Sequence, residues 1–408
     1  MKDVVIIGGG ISGLYTALNL HGNKDVTLFE QSGVYGGRVY TDRFSIDNVK
    51  YSLEAGAGRI LSTHNLMLEL IENMNLKKLL IEINSKVEFS PSKYYTLKNM
   101  FQNKTGFDFI DKIIKYSKNH TKEDLKSITF KEYASIYLTE NELKFMLDST
   151  GYYGDIVVQN AYNAIDVFKT SIRTDNKYYI MKNGFSNLIE KMVSFVKKKH
   201  NCYNKKSCNK IFYNDGVFTL DISGIKIICR KLVLAIPKNS LLNFDILKPY
   251  FPLLKSIETL RLIRIYSIYD NKDVWFKNIN KTTTNSKLSY VIPINKETGV
   301  IMTSYTDYKK ADYWSEIKKN KKVLSDTLDK QIENTFGIKP KKPKDIKLYE
   351  WSNGVAVWKK NTNSSYLIDK ISNPDSEINM FIVGENYSNY QGWMEGALES
   401  VERIISSI

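Results

Sequence analysis

Residues 3–30 read DVVIIGGGISGLYTALNLHGNKDVTLFE, and the order of residue types in this stretch decides the fold. The β-branched run at 3–7, bounded by glycines, reads as a buried parallel strand. Gly8, Gly10 and Gly13 then give the G-x-G-x-x-G spacing. The first glycine permits a tight turn, the second lets backbone approach a pyrophosphate, and the third lets a helix pack on the strand. A helix is predicted over 12–20, with the N–H groups of its first turn, at Ser12 and its neighbours, aimed at phosphate. A second strand over 26–30 ends in Glu30, roughly twenty residues past the glycines, where a ribose hydroxyl needs an acceptor. A glycine-rich turn without a ligand leaves Glu30 without a role, so the stretch predicts a dinucleotide-binding unit.

The 408 residues suit two or three domains and are enough to bury an active site. Hydrophobic residues at 42% and charged residues at 25% exclude the disordered and fibrous classes. The net charge of +15 raises the question of an anionic partner. Most of the excess is Lys mixed with Asn, in runs such as 196-VKKKHNCYNKK-206 and 339-KPKKPKDIK-347 that read as solvated faces or loops. No nucleic-acid module accompanies them, so no nucleic-acid partner is expected. Cys202, Cys208 and Cys229 form no CxxC pair and leave an odd count, which argues against disulfides and metal and for a reducing, cytoplasmic setting. The apolar stretch 4–14 is broken by glycines and lacks a cleavage site, and no later run approaches about eighteen apolar residues, so neither a secretory leader nor a transmembrane helix is expected.

After Glu30 the chain reads 31-QSGVYGGRVYT-41. Gly36, Gly37, Arg38 and Thr41 fit a G-G-R-x-x-T element, and here the chain resembles the flavin amine oxidase superfamily. The resemblance implies FAD, with Arg38 and the adjoining backbone at its pyrophosphate. An arginine beside a close-approach glycine pair is also a sensible anion contact in its own right. No second dinucleotide fingerprint follows, so electrons are expected to arrive from an organic substrate and leave to dioxygen or another acceptor.

Three further segments carry the resemblance. In 54-EAGAGRILSTH-64, Gly56 and Ala57 fall where small residues let backbone pass a flavin ring. Strands are predicted at 208–220 and 226–237, with a turn at Asn214, Asp215 and Gly216. There Cys208 takes the place of a residue whose main chain meets adenine. In 381-FIVGENYSNYQGWMEGALESVERII-405, a strand leads to Gly384 and Glu385 at the ribityl and phosphate region, and a helix starts from about Met394 under the flavin. Trp393 takes the aromatic position facing substrate. Val401 departs from the usual glycine.

The fold implied is α/β: a Rossmann-like, glutathione-reductase-like FAD domain (1–75, 183–255, 365–408) interleaved with an α+β substrate domain on a mixed sheet (76–182, 256–364). A helix ending in a glycine turn is predicted over 142–155 and a site-lining strand over 260–270. With Trp275 as anchor, Arg264 stands one residue out of step with the family's near-flavin lysine, and a guanidinium cannot act as a base. The usual cage tyrosine is replaced by Ala356, leaving Trp358, or else Trp351, as the second aromatic wall. Arg59 falls where the L-amino-acid oxidase branch has a carboxylate clamp; the alternatives are a cofactor contact or a pair with Glu54.

The expected function is oxidation of an amine or L-amino acid by hydride transfer from the amine-bearing carbon to flavin N5, with dioxygen reduced to peroxide. FAD is expected to be non-covalent, since no cysteine lies near the C-terminal segments. The rival readings are a desaturase or protoporphyrinogen-oxidase type flavoprotein and a decayed FAD-binding protein.

Overall fold

The computed structural model describes residues 1–20, 22, 24–83, 86–172 and 176–408. The opening strand, Lys2–Ile7, pairs in parallel with Val26–Phe29 on one side and with Ile225–Leu234 on the other. Its β-branched residues are buried from Val4 to Ile7, as a parallel strand covered on both faces requires. Asn201–Tyr203 extends the sheet beyond Val26–Phe29, and Met380–Ile382 joins Ile225–Leu234 in parallel. The antiparallel strands Val217–Ile222 and Cys208–Asn214 complete seven strands.

The hairpin expected at 214–216 turns on Asp215 and Gly216, both at positive φ (52° and 79°), which suits a tight two-residue connection. A second such turn, Ser223 and Gly224 (51° and 84°), was not expected, because serine is an uncommon left-handed residue.

Helix Ile11–Asn19 packs on this sheet with Ser186–Lys199 and Met394–Glu402. Leu14, Leu188, Met192, Leu398 and Val401 share one fully buried cluster there, each contributing about 1.5–3 kcal/mol. Val401 thus packs in the core, where a glycine would leave a gap.

A second sheet of six strands is built around Ile257–Ile268, flanked antiparallel by Asp345–Trp358 and Val300–Asp307. It continues through Tyr290–Asn295 and Thr282–Thr283 to Glu88–Phe89, and only that last pairing is parallel. The helix expected over 142–155 is two: Glu140–Ser149, opened by a Thr139/Glu142 capping box, and Tyr153–Val157. The break falls at Gly151, at φ +88°, where a Cβ would lie 2.3 Å from the Tyr290 ring. Among the described residues no helix is long and apolar enough to cross a membrane, and all three cysteines are free.

Candidate active site

A cleft of about 710 Å³ runs from the ends of the parallel strands in the first sheet to the second sheet, in the size range of cofactor sites. Its first half is glycine backbone. Gly8 sits at φ +109°, and a Cβ there would lie 2.3 Å from the Ala235 carbonyl oxygen. Gly13 does not line the cleft; its hydrogen meets the Gly8 carbonyl, where a Cβ would lie at 2.0 Å, so it serves helix-on-strand packing. Gly10 differs, because a Cβ there would meet nothing nearer than the Gly36 oxygen at 4.0 Å and would stand in the cleft itself. Gly56 also lines the cleft, yet a closer demand fixes it: a Cβ would lie 1.8 Å from the Arg38 carbonyl oxygen, which accepts the Ala57 N–H at 2.9 Å.

Helix Ile11–Asn19 makes its first internal bond from Leu14 N to Gly10 O, so the N–H groups of Ile11, Ser12 and Gly13 precede the ladder at the cleft. Glu30 lines the same end, its carboxylate oxygens accepting the N–H groups of Gly9 and Ser32, each at 2.7 Å. Carboxylate oxygens have further lone pairs, so an acceptor for a hydroxyl remains. Cys208 lines this end too.

Arg38 and Glu385 both line the cleft, but they are bound to each other, Nη2 to Oε2 at 2.7 Å. Arg38 also donates to the Gly354 carbonyl at 3.1 Å. Glu385 accepts the N–H groups of Gly392 (2.9 Å) and Ala356 (3.2 Å) and the Asn386 amide (2.7 Å). With its lone pairs so engaged, Glu385 ties Gly384, Trp393 and Met394 to the second sheet and is not free to take a ligand's hydroxyl. These residues fit a dinucleotide flavin: open backbone at Gly10, an acceptor at Glu30, a helix N-terminus between them, and guanidinium groups of Arg38 and Arg264 beyond.

Arg264 lines the far half. Its Nη1 donates to the Glu54 carbonyl at 3.0 Å, its guanidinium lies 5.2 Å from the Tyr305 ring centre, and its buried Nε has no partner. Tyr305, Trp351 and Trp393 line this half as well. Of the two tryptophans considered for the second wall, Trp351 is the one at the cleft, with its indole N–H held by the Ala55 carbonyl at 2.7 Å. Trp358 is 1% exposed in the core beneath the first sheet, bonded to the Ser388 carbonyl at 3.4 Å, so its expected wall position is corrected. Ala356 is buried in the same cluster. Trp275 also lies off the site, packed against Phe276 and Phe336 beyond the end of its expected strand.

Trp393 does have a parallel partner, Tyr178, whose ring centre lies 6.2 Å away at 17°. The guanidinium of Arg59 lies 4.4 Å from Tyr178 and 5.6 Å from Trp393, and its Nη2 donates to the Tyr152 hydroxyl at 2.6 Å. Arg59 is not among the cleft-lining residues; it is partly buried next to Trp393, which is. Neither Arg59 nor Arg264 makes an ion pair among the described residues. Every carboxylate lining the cleft is engaged: Glu30 by backbone, Glu385 by Arg38, and Glu350 by Arg261 and Lys318. The alternative pair between Arg59 and Glu54 does not form. Behind Trp393, the His64 ring packs edge-on at 5.0 Å and is held neutral by burial, its pKa pushed down to about 3.

Tyr152, Tyr178, Tyr290 and Tyr305 were not singled out from the sequence. They come from four segments, and with 27 tyrosines in the chain no local pattern marks them.

Glu54 lies under this region. Its carboxylate accepts Phe185 N–H (2.7 Å) and the Thr41 hydroxyl (2.9 Å). Burial outweighs these bonds and the charge of Arg264, and pushes its pKa up to about 7 from 4.5. The folded protein therefore keeps a proton that the unfolded chain releases, and the stability linked to Glu54 is lost as pH rises from about 4.5 through 7. Glu54→Gln is expected to remove that loss, about 3 kcal/mol, melting a few degrees above the parent at pH 8 and level with it at pH 4.5. Thermal melts at the two pH values check this.

A family model described as flavin containing amine oxidoreductase matches residues 11–403. Uncharacterized protein R188 of Acanthamoeba polyphaga mimivirus is 22% identical over 480 residues, covering 99% of this chain and 93% of that protein. The flavin-containing amine oxidase A of Canis lupus familiaris is 35% identical over 103 residues, which are 25% of this chain and only 19% of that enzyme. The solved structure of wild-type putrescine oxidase bound to putrescine superposes with a TM-score of 0.77 over 100% of this chain and 98% of that one. At 16% identity that likeness speaks to the fold.

Proposed function

The chain belongs to the flavin-containing amine oxidoreductase family, and from that premise we propose that this flavin-dependent oxidoreductase oxidises L-α-amino acids rather than carboxylate-free amines. The observation that carries the reading is Arg59, a guanidinium packed between aromatic rings and a tyrosine hydroxyl with no carboxylate partner among the described residues. A planar guanidinium without a counter-ion matches a carboxylate in two parallel hydrogen bonds. A diamine finds the opposite of what it needs, because the carboxylates at the cleft are all engaged.

In this reading Arg59 holds the substrate carboxylate, and Trp393, Tyr178 and Tyr305 flank the carbon that carries the amine. The charge of Arg264 favours the neutral amine over the ammonium, which is the form that can be oxidised. Non-covalent FAD would be held by the first-half backbone, Glu30 and the helix N-terminus at Ser12, with adenine towards Cys208. Bound there, FAD would supply the two-electron chemistry, a hydride acceptor at N5 for the substrate carbon and a route for the electron pair to dioxygen as hydrogen peroxide. The imino acid hydrolyses in water to a 2-oxo acid and ammonia.

We take residues 1–75, 183–255 and 365–408 as the FAD domain and 76–182 and 256–364 as the substrate domain. In support, every strand of the seven-stranded sheet comes from the first set and every strand of the six-stranded sheet from the second. The free cysteines suit a reducing, cytoplasmic setting. The function is tested by aerobic incubation with a panel of L-amino acids. Peroxide, ammonia and a 2-oxo acid in equal amounts are expected; peroxide formed only with carboxylate-free amines would refute the substrate class.

A further inference from the structure

Lys281 stands just before the short strand Thr282–Thr283 and is anchored there by its carbonyl, which accepts the Glu88 N–H at 3.0 Å. Its ammonium lies 5.6 Å from the centre of the Tyr290 ring. Tyr290 in turn packs 5.3 Å from Tyr152, the residue whose hydroxyl binds Arg59. Lys281 makes no ion pair among the described residues. The carboxylate beside it in the sheet, Glu88, is engaged by the Asn280 amide at 2.8 Å. Exposed lysines of the same chain do find acids, as Lys344 does with Asp47 and Asp270. Lys281 is instead partly buried against Tyr290, and the Tyr290 and Tyr152 rings lead from it to Arg59, also without an ion pair among the described residues.

We propose that Arg59 and Lys281 form a two-cation pole that takes both carboxylates of an acidic α-amino acid, the α-carboxylate on Arg59 and the side-chain carboxylate on Lys281. The proposal rests on the reading of Arg59 given above and narrows it to one substrate class. Two like charges near enough to repel each other away from bulk water are each unfavourable until an anion joins them. Burial first, and then the charge of Arg59, push the Lys281 ammonium well below its usual pKa, which is the condition that a second carboxylate relieves. An aliphatic or aromatic side chain in that place would leave the ammonium unpaired, so the pole selects against neutral amino acids as well as for acidic ones.

The test is calorimetric titration of the flavin-loaded protein with glutarate and with butyrate, which differ by one carboxylate. Glutarate is expected to bind at least about tenfold more tightly, the scale of one charge pair at a partly desolvated site. Lys281→Met should collapse that ratio to near unity, Lys281→Arg should restore most of it, and Arg59→Met should weaken both ligands. The arginine variant keeps the test open if the methionine variant does not load flavin. Equal affinities in the parent protein, or a ratio that survives Lys281→Met, would overturn the two-cation pole while Arg59-dependent butyrate binding upheld the amino-acid reading. Loss of neither ligand in Arg59→Met, or no binding of either ligand to the parent, would overturn both.

Discussion

Arg59→Met is expected to lower kcat/KM for L-amino acids by about a thousandfold, close to 4 kcal/mol, the usual cost of removing one partner of a desolvated charge pair. The substitution leaves the α-carboxylate against Tyr152, Tyr178 and Trp393 without the guanidinium that would bind it in two parallel hydrogen bonds. Arg59→Lys should recover only part of the loss, because a point charge does not reproduce two parallel hydrogen bonds. Amines without a carboxylate should gain or stay level, since the variant removes a positive charge from their path. Steady-state kinetics with a substrate and its decarboxylated counterpart check this. A uniform fall for both would mean that Arg59 holds the fold and not the substrate.

The second large effect concerns Gly10. Its backbone lies at φ −71° and ψ 177°, a region open to any residue, and a Cβ there meets no protein atom within 4 Å apart from the Gly36 oxygen at 4.0 Å. Gly10→Val is therefore expected to fold, with apoprotein stability within about 1 kcal/mol of the parent. Its side chain would occupy the cleft at the start of helix Ile11–Asn19, and bound flavin should fall by at least about a hundredfold in affinity, the cost of overfilling a packed contact. Gly13→Ala makes the contrast: its Cβ would lie 2.0 Å from the Gly8 oxygen, so that variant should lose the fold itself. Flavin absorbance per mole of protein, measured beside thermal melts, separates the two. A fully yellow Gly10→Val would place the pyrophosphate elsewhere.

The dinucleotide unit was legible because its parts are contiguous. Strand, glycines, helix, strand and Glu30 occupy thirty residues, and each residue type answers a local demand of backbone geometry. The C-terminal segment was legible for the same reason, with a strand, Gly384 at φ +139° and a helix starting at Met394 in one run. Gly56 lines the cleft, but the demand that fixes it as glycine was not legible, because the Arg38 carbonyl that crowds it lies in a different segment.

Which tryptophan makes the second aromatic wall was not legible. Trp351 and Trp358 lie seven residues apart on one strand, and regular alternation would put them on opposite faces without saying which is inward. The pairing is also irregular: Leu260 faces Val355 while Leu262 faces Trp351, so two residues on one strand span four on the other. No count along the sequence foresees that slip. Arg59 was readable as a candidate, but its lack of a carboxylate partner depends on side chains 93 to 334 positions away.

Oxidation of L-amino acids is tested most directly by anaerobic mixing of the flavin-loaded protein with matched pairs, each L-amino acid against the amine left when its carboxylate is removed. The predicted result is loss of the flavin's visible absorbance with amino acids and its persistence with the paired amines. Bleaching by the amines, or by neither although dithionite bleaches the flavin, would contradict it.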